Sequence, residues 1–354
     1  MRLLDAFARR GTGRIVGLDI GSSAVKLVEI ETRGDSMRLL RHGVAELLPD
    51  AIVDGEVMDR QLVVETIQNL FEQTGTKTRR VVTAMSGRGV IVKKIAMDRM
   101  SREDASEAIV WEAEKHVPYD INDVSVDFEI LDTDLGPKQM QVLLVAAKRD
   151  AVSAHAELVR EAGLEPAVVD VAAFAVQNAI ERNYELAPEE FAALVNIGAE
   201  STNLNVVHAG MPSFTQDLPS GTGKMTEDLQ RRSGLSREDA AALLMRPEGD
   251  AAEQVAAVVG AYAEEVTAAI DRSLAYLKTA ESVEKIHRLL LSGGGARIPG
   301  VADAFMRARR GDYAVEVADP LRRIDCEGHG DELRAVAPML AVGVGLALRK
   351  DARA

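Results

Sequence analysis

The stretch GLDIGSSAVKLVEI, residues 17–30, returns in altered form as LVNIGAESTNLNVV, residues 194–207. Asp19 falls on Asn196, Ile20 on Ile197, Gly21 on Gly198 and Leu27 on Leu204. The offset from Asp19 to Asn196 is 177 residues, half of the 354 in the chain. In each copy an apolar run ends in a polar residue, turns through glycine and small residues, and resumes as a second apolar run. A strand–turn–strand unit repeated at half length predicts two related lobes, each opening with the same hairpin. The length agrees, because a chain of this size exceeds one ordinary core.

The order of elements fills in this frame. RIVGLDI and AVKLVEIE form the first hairpin, MRLLRHGVAEL a third strand, and DRQLVVETIQNLFEQT a helix with Asp59 as N-cap. VVTAM is a buried strand. From about residue 88 to 165 the texture changes. A strand (GVIVKKIAM) is followed by a helix opened by a capping box at Ser101 and stopped by Pro118. Two strands joined at Gly136–Pro137 and a helix ended by Gly163 complete a strand–helix–strand–strand–helix insertion. AVVDVAAFAVQNAIE then passes from strand to helix. A meander turning at Gly198 and Gly210, a helical stretch to about 283, a strand running into LSGGGARIPG and the apolar helix APMLAVGVGLALRK close the chain.

Composition narrows the function classes. The chain is 47% hydrophobic and 28% charged, with a net charge of −14. Without a basic, aromatic-rich patch, nucleic-acid binding is disfavoured. The single cysteine, Cys326, excludes a disulfide framework and suits a reducing compartment. No run reaches the ~18 apolar residues of a membrane span. In the leader, Leu3, Leu4 and Phe7 stand at helical spacing among Arg2, Arg9, Arg10 and Arg14. It reads as a frayed segment, or else as a short helix on an anionic membrane. Cys326 and His329 have metal-like spacing but lack the further ligands that structural zinc needs. Trp111 is expected to face the insertion's core, with a partner groove as the alternative.

The two repeated turns have a physical use. Glycine lets backbone approach a ligand, and successive free N–H groups make an anion nest. Two nests facing across a cleft suit a polyphosphate, with Lys26 adding positive charge and Asp19 holding water on Mg²⁺. A third glycine site, Gly293-Gly294-Gly295, follows a buried strand and leads into a helix with Pro299 in its first turn. Its spacing fits neither the Rossmann nor the P-loop signature.

The three motifs in this order resemble the actin/Hsp70/sugar-kinase superfamily. The insertion at 88–165, together with AIVWEAEKHVPYDINDVSVDFEIL, LVAAKRDAV and LPSGTGKMTEDL, is similar to its FtsA/PilM branch, and to the PilM family of type IV pilus assembly proteins from Ile15 to Leu348. The fold implied is α/β and actin-like: two ribonuclease-H-like lobes around a nucleotide cleft, with a small α+β insertion in the first. The first lobe is expected at 14–87, 166–192 and 337–350, the second at 193–336, and a leader at 1–13. FtsA-type chains usually end in an amphipathic membrane helix, and this one is expected to end without it.

The resemblance also implies chemistry. ATP and Mg²⁺ are the expected cofactors. Asp19 would orient Mg²⁺ through water; Gly21, Ser22, Ser23 and Lys26 would meet the β- and γ-phosphates. Asn196 with Gly198, Ala199, Glu200, Ser201 and Thr202 would form the opposing loop. Gly221, Gly223 and Lys224 would lie by the nucleotide sugar. Gly293, Gly294, Gly295 and Arg297 would face adenosine, with Glu265 and Arg272 reaching the base. Asp170 stands where relatives place the group that orients the attacking water; as a strand-end residue it has a purely structural alternative. Asn196 departs from the family's usual aspartate, so firm ATP binding with slow or no hydrolysis is expected. The implied partner is the cytoplasmic N-terminal segment of PilN, which would hold the protein at the inner membrane. Other pilus inner-membrane proteins, motor ATPases and self-association are further possible contacts. A scaffold of this kind, an FtsA-like filament former and a small-molecule kinase remain the three function classes. The compact insertion suits protein contact better than a kinase substrate.

Overall fold

The computed structural model describes residues 13–87, 89–131, 136, 138–249, 251–280 and 285–349. The leader carrying Leu3, Leu4 and Phe7, Pro137 of the expected turn, and the tail after Arg349 lie outside them. The chain opens with β1 (Gly13–Ile20), β2 (Ala24–Arg33) and β3 (Ser36–Glu46), then a small hairpin of β4 (Ile52–Val53) and β5 (Glu56–Val57). α1 (Arg60–Thr74) and β6 (Arg80–Met85) follow. The insertion holds β7 (Val90–Asp98), α2 (Arg102–Glu114), β8 (Val124–Leu131), β9 (Gln139–Lys148) and α3 (Arg149–Glu161). β10 (Glu165–Val171) and α4 (Ala172–Asn183) lead to β11 (Phe191–Ile197), β12 (Thr202–His208) and β13 (Met211–Leu218). Three helices come next: α5 (Thr222–Ser233), α6 (Arg237–Met245) and α7 (Ala251–Ala280). β14 (Arg288–Ser292), α8 (Val301–Ala308), β15 (Ala314–Val317), α9 (Asp331–Val336) and α10 (Ala341–Ala347) complete the fold.

The repeat becomes two sheets of one plan. The first runs β10-β6-β1-β2-β3 and the second β13-β12-β11-β14-β15. In each, the first three strands form an antiparallel meander and the last two add parallel to the first. The insertion is a separate sheet, β7-β9-β8. One face of it packs on α2 through Ile95, Ile109, Phe128, Val142 and Leu144. α3 follows this sheet in the chain, yet Leu158, Val159 and Ala162 join the core of β1, β2 and α1.

Local chemistry explains the boundaries. Asp59 accepts the N–H of Leu62 at 3.0 Å and caps α1, an interaction of about 1 kcal/mol. Gly75 ends that helix in the left-handed conformation, φ 64°. At α2, Ser101 accepts the N–H of Asp104 at 3.1 Å, and Asp104 accepts the Ser101 hydroxyl at 2.8 Å instead of closing a full capping box. Trp111 does not face the core. It is 72% exposed, because Ala105, Ile109 and Ala113 occupy the buried stripe at four-residue spacing and residue 111 points to the opposite side.

The lobes share a core. Ala175, Val176 and Ile180 of α4 and Ala341, Val342 and Leu346 of α10 pack with Ala192, Leu194, Val207 and Leu290 of the second sheet. The glycines of AVGVGLA permit this approach. A Cβ on Gly345 would lie 1.6 Å from the Ala175 carbonyl oxygen, and one on Gly17 of β1 would lie 2.0 Å from that of Gly343.

Candidate functional site

The central strands β1 and β11 end at Asp19–Ile20 and Asn196–Ile197, and each runs directly into its glycine turn. In the first turn the Gly21 N–H donates to the Ala24 carbonyl at 3.1 Å. Ser22 is half-buried and Ser23 exposed. Lys26 stands opposite Asp19 in the ladder and pairs with it at 3.2 Å. A Cβ on Gly21 would sit 3.0 Å from the Lys26 Nζ, so the ammonium lies against the turn.

The second turn closes through the Gly198 N–H and the Ser201 carbonyl at 2.9 Å. Its own carbonyls face α5: Gly198 accepts the N–H of Thr222 at 3.0 Å and Ala199 that of Gly223 at 2.8 Å. Gly221 is obligatory there, since a Cβ would stand 2.5 Å from the Gly198 oxygen and 2.6 Å from that of Ala199. The third glycine site closes on the same turn. Gly293 has φ 87°, and a Cβ on it would lie 2.4 Å from the Ile197 carbonyl and 2.8 Å from the Asn196 Oδ1. Gly295 packs on the Ile197 side chain, whereas a Cβ on Gly294 would enter open space. Asn196 accepts the Ser292 hydroxyl at 3.2 Å. The second turn and the two later glycine motifs therefore meet as one assembly.

Other expected residues take different places. Thr202 is fully buried: its hydroxyl donates to the Ser220 carbonyl at 2.6 Å and lies 2.5 Å from the Tyr262 hydroxyl. Its side chain belongs to the second lobe's core and not to the loop's exposed face, because strand alternation at the head of β12 turns it inward. Arg297 donates to the Ala335 carbonyl at 2.7 Å and so braces the glycine loop against the segment before α10. Lys224 pairs with Glu265 at 2.7 Å, joining α5 to α7; Arg272 is exposed farther along α7. Asp170 has no exposed surface. One oxygen accepts the Val171 N–H at 2.7 Å, and the other meets the buried guanidinium of Arg349. That carboxylate is a structural partner of Arg349 and is closed to an attacking water in this arrangement.

Three residues enter the site that sequence reasoning missed. His155 on α3 shares a 2.9 Å hydrogen bond with Thr83 of β6, beside β1. Burial pushes its ring down to about 4, against an opposing pull from Asp19. Asp217 of β13 accepts the N–H of Gly87 and, at 2.6 Å, the amide of Asn203, tying the insertion's root to the second lobe. Asp54 lies near Glu200 across the lobes, and partial burial together with the Asp54 charge raises the Glu200 pKa. Only a side chain's place in the assembled fold reveals such contacts. Cys326 and His329 bond to backbone carbonyls, and no group of three or more His, Cys, Asp or Glu among the described residues is placed to hold a metal.

Residues 17–351 match the family model of the Type IV pilus assembly protein PilM. The chain belongs to the PilM family. Among solved structures it is similar to the PilM–PilN type IV pilus biogenesis complex, with 28% identity over 96% of this chain and 99% of that one, and a TM-score of 0.84. It also resembles the ethanolamine utilization protein EutJ from Carboxydothermus hydrogenoformans, at 16% identity over 98% and 94% of the two chains and a TM-score of 0.58. MreB5 of Spiroplasma citri bound to ADP shares 12% identity over 94% of each chain, with a TM-score of 0.52. These likenesses bear out the actin-like fold. No helix among the described residues is long and apolar enough to cross a membrane.

Proposed function

We infer that this PilM-family chain is an ATP-binding scaffold of the type IV pilus inner-membrane assembly. It takes the cytoplasmic N-terminal segment of PilN and uses nucleotide to set the arrangement of its lobes, at the cytoplasmic side of the inner membrane. The observation that carries the nucleotide reading is the joint closure of the glycine motifs. Gly198, Gly221 and Gly293 interlock where no Cβ fits, while Gly294 faces open space. Ser22, Ser23 and Lys26, at the matching turn of the first sheet, would supply further donors to the phosphates. These residues fit a nucleoside triphosphate. Mg²⁺ would enter with the phosphates, held through water by Asp19, the carboxylate at the end of β1. Bound metal would offset phosphate charge.

Two features support slow or no hydrolysis. Asn196 carries no charge, and its carbonyl oxygen is taken up by Ser292. Asp170 is paired with Arg349 inside the first lobe. Nucleotide then shifts populations of lobe arrangements instead of being consumed. The PilN reading follows from the likeness to a PilM–PilN complex across nearly the full length of both chains. Calorimetric titration with Mg-ATP, followed by an N-terminal PilN peptide with and without nucleotide, tests both. Binding of each is expected, and the difference in peptide affinity gives the coupling free energy. No heat with Mg-ATP would overturn the nucleotide reading. Nucleotide binding without peptide binding would overturn the PilN assignment.

A further inference from the structure

A cavity of about 540 Å³ opens on the first lobe, lined by Arg14 of β1, Leu40, Arg41 and His42 of β3, Thr74 of α1, and His329. It is separate from the glycine turns. Arg14 and Asp19 stand at opposite ends of β1, about 17 Å apart at ~3.4 Å per strand residue. The strand β3 is bulged here: Glu29 pairs with Arg41 and Ile30 with Leu39, which leaves Leu40 unopposed. Regular alternation would send Arg41 away from its two neighbours. A bulge re-aims side chains, and all three line the cavity.

The lining is basic, although the chain carries a net charge of −14. Two carboxylates lie alongside, and each is already held. Glu29 accepts Arg41 at 2.8 Å and the Thr78 hydroxyl at 2.6 Å. Glu31 accepts Arg14 at 3.0 Å, and Arg33 lies 3.1 Å from its other oxygen. Arg33 therefore keeps Glu31 paired when Arg14 turns to a ligand. The Arg14 and Arg41 side chains are 56% and 36% exposed, so their remaining N–H groups are within reach of one. The rings of His42 and His329 lie 5.1 Å apart. His329 meets the Leu39 carbonyl through Nε2 at 3.3 Å, which leaves its Nδ1 for another partner. The Nδ1 of His42 is buried with no hydrogen-bond partner among the described residues, an orphan of the kind that marks an absent partner. Thr74 serves as a wall, its hydroxyl bonded to the Leu70 carbonyl at 2.8 Å.

We propose that this cavity binds a phosphate-bearing anion, gripped by Arg14 and Arg41 and by the rings of His42 and His329. A carboxylate is matched by one guanidinium fork. Donors converging from β1, β3 and the segment holding His329 suit the three free oxygens of a phosphomonoester. Protonation couples to binding. The charged groups around the rings are Arg14 of β1, Glu29 and Glu31 of β2, Arg38 and Arg41 of β3, and Asp325 beside the His329 segment, while α1 presents Thr74. Burial, and then the neighbouring His329, hold the His42 ring below the usual imidazole range. A bound dianion opposes both effects and draws protons onto the rings, so affinity should rise as pH falls from 8 to 6.

Titration of the full chain with glycerol 3-phosphate, followed by NMR of the histidine rings, reads the site. His42→Gln and His329→Gln identify the two signals. Both rings should shift saturably, with affinity several-fold tighter at pH 6 than at pH 8. Arg14→Gln, at an exposed position, should weaken binding about ten-fold, and Arg14→Lys should recover part of it. Co-sedimentation with phosphatidylcholine vesicles, with and without phosphatidic acid, separates the sources of the phosphate. Binding of glycerol 3-phosphate assigns a free phosphomonoester. Retention on phosphatidic-acid vesicles alone, lost in Arg14→Gln, assigns a lipid headgroup. Unmoved ring signals together with no such retention overturn the site, and so does binding that Arg14→Gln leaves unchanged. Phosphate held at the glycine turns, at the other end of β1, would not reproduce the ring shifts, so the outcome is independent of the nucleotide reading.

Discussion

Arg349 offers a sharp test of how Asp170 is used. The two side chains are 1% and 0% exposed, and the Nε and Nη2 of Arg349 have no hydrogen-bond partner among the described residues. Asp170 is thus the charge that makes a buried guanidinium tolerable. Arg349→Met fills similar volume but strands a carboxylate in a closed site, which costs about 3–5 kcal/mol. Against a total stability of about 5–15 kcal/mol, that is a large fraction. Asp170→Asn should cost a comparable amount, because it strands the cation. Replacing both, Asp170→Leu with Arg349→Met, removes both charges and should recover most of the loss, since well-packed apolar residues replace buried ion pairs at little cost. Urea unfolding of the four proteins, read as a double-mutant cycle, gives the coupling. Strictly additive losses would refute the ion-pair reasoning. So would a stable Asp170→Asn protein that had instead lost a measurable ATPase rate, because Asp170 would then be serving a water and not Arg349.

Four further outcomes are expected. Gly293→Ala meets both a positive φ and the Ile197 carbonyl at 2.4 Å, so it should destabilise by at least about 1–2 kcal/mol in thermal melts and abolish nucleotide binding in calorimetry. Asn196→Asp restores charge beside the second turn while keeping an acceptor for Ser292. It should tighten Mg²⁺-dependent ATP binding, and an unchanged Mg²⁺ titration would count against the role given to that position. His155 and Glu181 should tilt stability against pH in opposite directions. His155 is pushed down to about 4 by burial, so its contribution is full above its unfolded pKa near 6.5 and fades as pH falls toward 4. Glu181 is pushed up to about 7 by burial, so its contribution is full below about 4.5 and is lost as pH rises through 7. Relative to the unaltered protein, the slope of the urea midpoint against pH from 4 to 8 should therefore shift downward in His155→Gln and upward in Glu181→Gln. Trp111→Ala removes a ring that is 72% exposed and should leave stability within about 0.5 kcal/mol; a large loss would mean that the ring packs in solution.

What the linear chain determined is what repeats or alternates within it. The copy of GLDIGSS at half length specified two lobes of one plan, because strand periodicity and glycine turns are local properties of backbone and pattern. Asp59 and Gly75 marked the ends of α1 for the same reason. The glycine motifs were legible as close-approach positions, and Gly221 and Gly293 take up that role. Other assignments depended on which way a side chain faces after assembly. Trp111 turns outward because Ile109 and its helical neighbours claim the core. Thr202 turns inward at the head of a strand, and α3 crosses from the insertion's segment into the first lobe's core. Asp170 reads as a site acid until Arg349, distant in sequence, comes to rest against it. Likewise Asp217 and Gly87, joined by a hydrogen bond across the lobes, share no local pattern. They meet only because two separately formed lobes close on a common core, and such contacts between distant residues are decided by packing, which no short stretch of sequence carries.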